Sequence, residues 1–201
     1  VIQVNDGTGA NPYGTSIINW TSQTQTARVT LTGNGYRTAL LPGIDFTNSE
    51  RITIERLTIE RYRSGTSGLI DYVIRTGGSD AIIISDNEIR SNPLSSVTMQ
   101  GNIECQHGVG ASAASNALTV QNCFIHDVTR TVSINNTPDA VVTGNLWTDV
   151  YQNFGNFNDC DRLLYKDNRG EGIWANGNDA NNPHSSLLGF GVNGTSMTCE
   201  S

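Results

Sequence analysis

Four side chains supply the acid, base and cation types that chemistry on a charged substrate needs: Asp45, Asp71, Arg75 and His107. A carboxylate or an imidazole can take a proton from a reacting centre, and a guanidinium can neutralise negative charge beside it. Arg130 is a further cation of the same kind. These residues are scattered along the chain, so they form a site only in a fold that lays distant segments side by side. His126 and Asp127 are also adjacent, but no Ser or Cys nucleophile stands next to them, and turn capping is the expected role. His184, within Asn182-Pro183-His184-Ser185, reads as a loop residue.

The elements that would gather these residues are written in a repeat. An apolar pair at i and i+2 is followed three residues later by a position that is usually Asn. The instances are Val29/Leu31/Asn34, Ile52/Ile54/Leu57, Ile82/Ile84/Asn87, Leu118/Val120/Cys123, Ala140/Val142/Asn145, Leu163/Tyr165/Asn168 and Leu188/Phe190/Asn193. An i, i+2 pair fits a strand with one buried face, whereas a helix needs spacings of three and four. Successive third positions lie 23, 30, 36, 22, 23 and 25 residues apart. Periods of this size mean stacked coils, each burying its apolar side chains against its neighbours, with like positions in columns. An Asn at a tight turn can visit the left-handed region and bond along such a column. Leu57 and Cys123 interrupt the column with apolar residues, which points to an inward position.

Length and composition bound the rest. The 201 residues suffice for a single domain, 1–201, of about seven coils, with an irregular N-terminal segment over 1–16; an eighth coil opens if Ile2/Val4/Gly7 belongs to the series. Residues 1–28 are expected to hold loop plus one strand. Charged residues make up 15% of the chain and Lys occurs once, which suits a turn-rich β protein. A net charge of -7 argues against nucleic acid as partner and disfavours anionic membranes. No stretch approaches the ~18 apolar residues of a membrane span. The chain starts at Val1 without Met or a signal sequence, as a processed mature protein or a piece cut from a longer β-helix would. Cys105, Cys123, Cys160 and Cys199 allow three pairings, and two disulfides or buried free thiols both remain open. Sequons at Asn19, Asn135 and Asn193 could accept glycans, although Asn193 would point into the column. The run Glu55, Arg56, Glu60, Arg61, Arg63 reads as solvated strand edges.

On these residues the chain resembles the right-handed parallel β-helix group that includes pectate lyases and polygalacturonases, over roughly residues 17 to 195. The resemblance implies a single-stranded coil of three strands, with the ladder Asn at the short turn between the second and third. The first strand should then lie about a dozen residues before each Asn. Ile44/Phe46 and Val132/Ile134 fit that offset, and Ile18/Trp20, Tyr72/Ile74 and Ile173/Ala175 fit with small slips. Loops leaving the third strand build the walls of a substrate cleft in the enzymes of this group. The connection 90–108 and the insertion 60–71 would do so here. Between them Asp45, Asp71, Arg75 and His107 converge as the candidate catalytic set, because neighbouring coils lie only about 5 Å apart.

In a uronate lyase the cation, Arg75 or Arg130, would neutralise the substrate carboxylate while a base removes the adjacent proton. Ca²⁺ is the alternative cation, with Asp45 and Asp71 as its only plausible ligands. The polygalacturonase pattern fails. Gln106-His107-Gly108 resembles its His-Gly pair, but the strand that should carry Arg-x-Lys reads Thr131-Val132-Ser133-Ile134-Asn135. Trp174 and Tyr151 are the candidate sugar platforms, whereas Trp20, Trp147, Phe157, Tyr165 and Phe190 fall at core phases. The expected function is that of an extracellular or cell-surface protein that binds or degrades polysaccharide. The competing expectation is a non-catalytic rod, a filament or adhesin subunit stacked head to tail, because neither end shows a cap.

Overall fold

The computed structural model describes residues 1–5, 18–35, 39–61, 72–91, 107–111, 115–173, 189–190 and 197–200. Twenty strands and no helix occur among them, and every strand pair is parallel. The chain is a single-stranded right-handed parallel β-helix of the pectate-lyase kind, as the repeat predicts.

Three columns of strands make up the coil. The second-strand column stacks β1 (Ile2–Val4), β3 (Val29–Gly33), β6 (Ile52–Glu55), β9 (Ile83–Ser85), β12 (Thr119–Gln121), β14 (Val141–Thr143), β17 (Leu163–Lys166) and β20 (Met197–Glu200) in that order. The first-strand column runs through β2 (Ile18–Asn19), β5 (Ile44–Asp45), β8 (Tyr72–Arg75), β11 (His107–Ala111), the second half of β13 (Phe124–Asn135), β16 (Asn156–Asn158) and β19 (Gly189–Phe190). The third comprises β4 (Ala39–Leu41), β7 (Leu57–Arg61), β10 (Glu88–Ser91), the first half of β13, β15 (Leu146–Asn153) and β18 (Arg169–Ile173). Strand β13 serves two columns because a bend at Asp127, in the left-handed region, and a register shift between Val128 and Arg130 let it turn the corner without leaving the sheet.

The inward alternation of each strand fills the interior. Ile52, Ile54, Ile82, Ile84, Leu118, Val120, Ala140, Val142, Ile44 and Ile74 are all buried, and Trp147 and Phe157 sit among them as the sequence predicts. At the second turn, hydrogen bonds knit successive coils. Asn87 Oδ1 accepts from the Leu57 amide at 3.0 Å and Asn87 Nδ2 donates to the Ile54 carbonyl at 2.9 Å. Asn145 repeats this on Cys123 and Val120, and Asn168 on Asn145 and Val142. The corner itself is turned one residue earlier than expected: Arg56, Asp86, Asn122, Gly144 and Asp167 have positive φ, whereas Asn87, Asn145 and Asn168 do not.

A second column of the same design stands at the turn between the first and second strands, and the repeat did not reveal it. Ser49, Ser79 and Ser115 each accept from an amide of the preceding coil, at 3.2, 3.2 and 3.3 Å. Each also donates to a carbonyl there: Trp20, Phe46 and Thr76. Left-handed residues again precede the column, at Ser22, Asn48, Gly78, Asn136 and Asp159.

Several expectations are corrected. Phe190 pairs with Phe157 in the first-strand column, not in the second, and the last second-strand member is Met197–Glu200 on β17. Ile173 ends a third strand rather than opening a first one. Leu188, Asn193 and Ala175 lie outside the described residues. Ile2–Val4 forms a strand inside the segment expected to be irregular, so the described residues of 1–28 include two strands. Cys123 and Cys160 are buried free thiols, so no pairing that uses either survives. Both thiols occupy column positions: Cys123 Sγ lies 3.7 Å from the Ile84 carbonyl and Cys160 Sγ 3.6 Å from that of Ile134, where an Asn or Ser would donate. Glu60 is buried at 6% exposure rather than being a solvated edge.

Candidate functional site

The register of the first-strand column decides which candidate residues meet. Asn19, Asp45, Arg75, Gly110, Ser133 and Asn156 lie opposite one another on successive coils. Three positions earlier, Tyr72, His107 and Arg130 form a second row. Asp45, Arg75, His107 and Arg130, far apart in sequence, therefore share one region of one sheet. Asp71 and Trp174 lie outside the described residues. So do the side chains of His107 and Tyr151, whose backbones belong to β11 and β15.

Asp45 is held in place rather than poised. Its Oδ1 accepts from the Thr47 amide at 2.8 Å and from the Thr47 hydroxyl at 2.5 Å. Its Oδ2 faces Arg75 Nη1 at 3.9 Å. Both of its oxygens are thus already engaged by groups of the protein. Asp45 makes a poor calcium ligand, because the guanidinium sits where the cation would. Among the described residues no three His, Cys, Asp or Glu side chains converge on one point. Asp71, the other ligand expected for calcium, lies outside the described residues.

Tyr72, expected with Ile74 as a first-strand pair, is buried and reaches along this face to the next coil. A β-carbon at Gly110 would overlap the Tyr72 ring, so the ring runs from its own coil across the next. Only glycine permits that approach. The Arg75 guanidinium lies 5.9 Å from the ring centroid, a cation–π distance. Burial holds Arg130 below the usual guanidinium range, and the charge of the Tyr72 phenol works against that shift. Arg75 thus lies over the Tyr72 ring, and Arg130 stands two coils further along in the same row. The readable signal was an aromatic residue at the start of a first strand with a glycine on the following coil.

A second ionic cluster occupies the outer side of the third-strand column. Glu88 Oε1 accepts from Arg90 Nη1 at 2.7 Å and from His126 Nε2 at 3.2 Å, while Glu88 Oε2 accepts from the Thr58 hydroxyl. Arg90 Nε also reaches Glu60, and His126 Nδ1 lies 2.6 Å from Asp127 Oδ2. The hydrogen bond from His126 is the main reason that the Glu88 pKa falls to about 2. Burial alone would lower the pKa of His126, but the bonds to Asp127 and Glu88 prevail and raise it to about 9. Phe124 stacks on the imidazole with ring centroids 4.4 Å apart. His126 is therefore more than a turn cap: it bridges two coils. Its partners satisfy one another, which fits a structural clamp rather than a reactive centre. The cavity at the first turn, lined by Ser79, Asp80, Ser115 and Asn136 among others, lies apart from both clusters.

No protein-family model and no curated protein matches the chain. Among solved structures it is similar to a pectate lyase from Bacillus sp. N165 in complex with trigalacturonate, with a TM-score of 0.53 and 12% identity. The likeness covers 87% of this chain and 62% of that one, so the chain spans less than two thirds of the lyase's length. At that identity the likeness is one of fold, and it places the chain among parallel β-helices of the pectate-lyase kind.

Proposed function

We propose that this β-helix acts outside the cell on a uronate-containing polysaccharide laid along the outer face of the first-strand column, cleaving it by β-elimination. The observation that carries this reading is the placement of Arg75 and Arg130 in one region of the first-strand sheet, in a chain whose net charge is -7. Cations gathered on a sheet face that is otherwise mostly Asn, Ser and Gly suit an anionic sugar polymer. Arg75 or Arg130 would neutralise the substrate carboxylate, and Asp45 would hold Arg75 in position. The pectate lyase neighbour supports the polysaccharide class, since its complex holds an oligosaccharide. In this reading Asp71 and His107 adjoin the reacting sugar, and Trp174 and Tyr151 offer stacking surfaces. A glycan is expected at Asn19, which is exposed; at Asn135 the amide oxygen is engaged by Asn158 at 2.6 Å.

The test is a screen of uronate polymers, read by the ultraviolet absorbance of the unsaturated product and by retardation in polymer-loaded gels. Product from at least one polymer is expected, and its rate should fall in Arg75→Ala. Neither product nor retardation with any polymer would overturn the reading.

A further inference from the structure

We infer that the cavity at the first turn is a subsite for an uncharged sugar, and that the substrate is therefore a heteropolysaccharide in which uncharged sugars stand close to uronates. This rests on the reading above that a uronate lies at Arg75, and it deepens that reading. The cavity holds about 270 Å³ and spans three coils, with Ser79 and Asp80 on the first, Ser115 and Asn116 on the second, and Asn136 and Pro138 on the third. Its volume lies just under the ~300–1,000 Å³ of small-molecule sites, so it takes one small unit rather than a length of polymer.

The lining selects the chemistry of that unit. The Ser79 and Ser115 hydroxyls are spent within their column, on the Phe46 and Thr76 carbonyls. The polar side chains left exposed on the lining are those of Asp80, Asn116 and Asn136. One carboxylate and two amides offer both acceptors and donors to sugar hydroxyls, and the Pro138 ring offers an apolar surface to the C–H groups of the sugar. No described lining residue is basic. The arginines of this turn are engaged elsewhere: Arg51 pairs with Glu50 at 3.7 Å, and Arg28 Nη1 donates to the Ala81 carbonyl at 2.9 Å. A uronate in the cavity would therefore face the Asp80 carboxylate with no cation on the lining to balance it, and an uncharged sugar is preferred.

The cavity continues the face on which Arg75 lies. Asp80 follows Arg75 by five residues on the same coil, no more than roughly 17 Å at ~3.3 Å per residue. Two coils further along, Asn136 follows Asn135, whose amide oxygen accepts from Asn158 Nδ2 at 2.6 Å. Neutral amides thus lead from the first strand into the turn. A uronate at Arg75 and an uncharged sugar in the cavity are then only a few sugar units apart.

The experiment compares wild type, the Asp80→Ala/Asn116→Ala double variant and Arg75→Ala in native gels. The gels are loaded with gellan or hyaluronan, whose glucuronates stand among uncharged sugars, or with glucuronan, which holds glucuronate alone. Both side chains changed in the double variant are exposed, so the core is kept, and an unchanged melting profile verifies it. Wild type is expected to bind at least one mixed polymer more tightly than glucuronan. The double variant should lose about tenfold in affinity for that polymer, the scale of two lost hydrogen bonds, and with it the preference. Arg75→Ala should weaken retardation by all three. Binding of wild type to glucuronan as tight as to the mixed polymers, or a preference that survives in the double variant, overturns the inference while leaving the lyase reading intact. Absence of both retardation and product with every polymer overturns both.

Discussion

At the residue scale, pairing matters more than charge. Arg75 is half exposed and so can contribute little to stability through Asp45, whereas Glu88 and His126 are mostly buried and bind each other. Their pKa shifts fix a pH window. The Glu88 contribution is whole above its ordinary value of 4.5 and is lost as pH falls through about 2. The His126 contribution is whole below 6.5 and is lost as pH rises through about 9. The clamp formed with Arg90, Glu60, Asp127 and Thr58 should therefore be strongest between pH 4.5 and 6.5. Because the two shifts share one interaction, its worth is counted once, at roughly 2 kcal/mol. Urea midpoints measured from pH 3 to 10 should decline on both sides of that window, and His126→Gln should flatten the alkaline side. A steep alkaline decline that survives in the variant would assign it to other groups.

At the scale of elements, the two hydrogen-bonded columns hold coil to coil through backbone groups that strands alone leave at the corners. Asn145 serves the Cys123 amide and the Val120 carbonyl and meets Asn168 at 2.8 Å, all in a buried position. Asn145→Ala should lower stability by about 2–4 kcal/mol, because it strands buried polar groups on two coils. Ser79→Ala should cost less, about 1–2 kcal/mol, since a smaller group serves the Ser49 amide and the Phe46 carbonyl. Cys123→Asn tests the column from the other side. It replaces a weak S–H donor by an amide and should hold or raise the urea midpoint, whereas a clear loss would show that the thiol is favoured by packing. Cys160 is expected to stay inert toward thiol reagents in the native state, because burial raises its pKa and keeps it protonated.

At the scale of the molecule, stability rises from contacts between neighbouring coils, so it should be uneven along the rod. Hydrogen exchange should be slowest at β6, β9, β12 and β14, whose inward side chains are fully or almost fully buried, and faster at β1, where Ile2 is 46% exposed. Sedimentation and electron micrographs address the competing reading of a stacked rod. A discrete particle of about 22 kDa is expected from the chain mass of 21.7 kDa. Fibres would favour head-to-tail assembly instead. Binding to a uronate polymer should weaken with added salt, because exposed charges more than about 10 Å apart are screened at 0.1 M.

The repeat of apolar pairs by itself determined the strands, their inward faces and their stacking, because alternation along a strand is a local property and a period of about two dozen residues leaves few architectures. It also brought Asp45 and Arg75 onto one face. Tertiary structure decided what depends on the summed length of each coil. The last period was read with Phe190 in the second strand, but pairing put it beside Phe157 and gave that place to Met197–Glu200. The serine column escaped notice because one hydroxyl per coil, three residues before Ile52, Ile82 and Leu118, leaves no hydrophobic trace. The Glu88–His126 clamp and the Tyr72 ring over Gly110 join residues 38 apart in each case. Such contacts follow from which side chain lies one coil away, and only the folded register sets that.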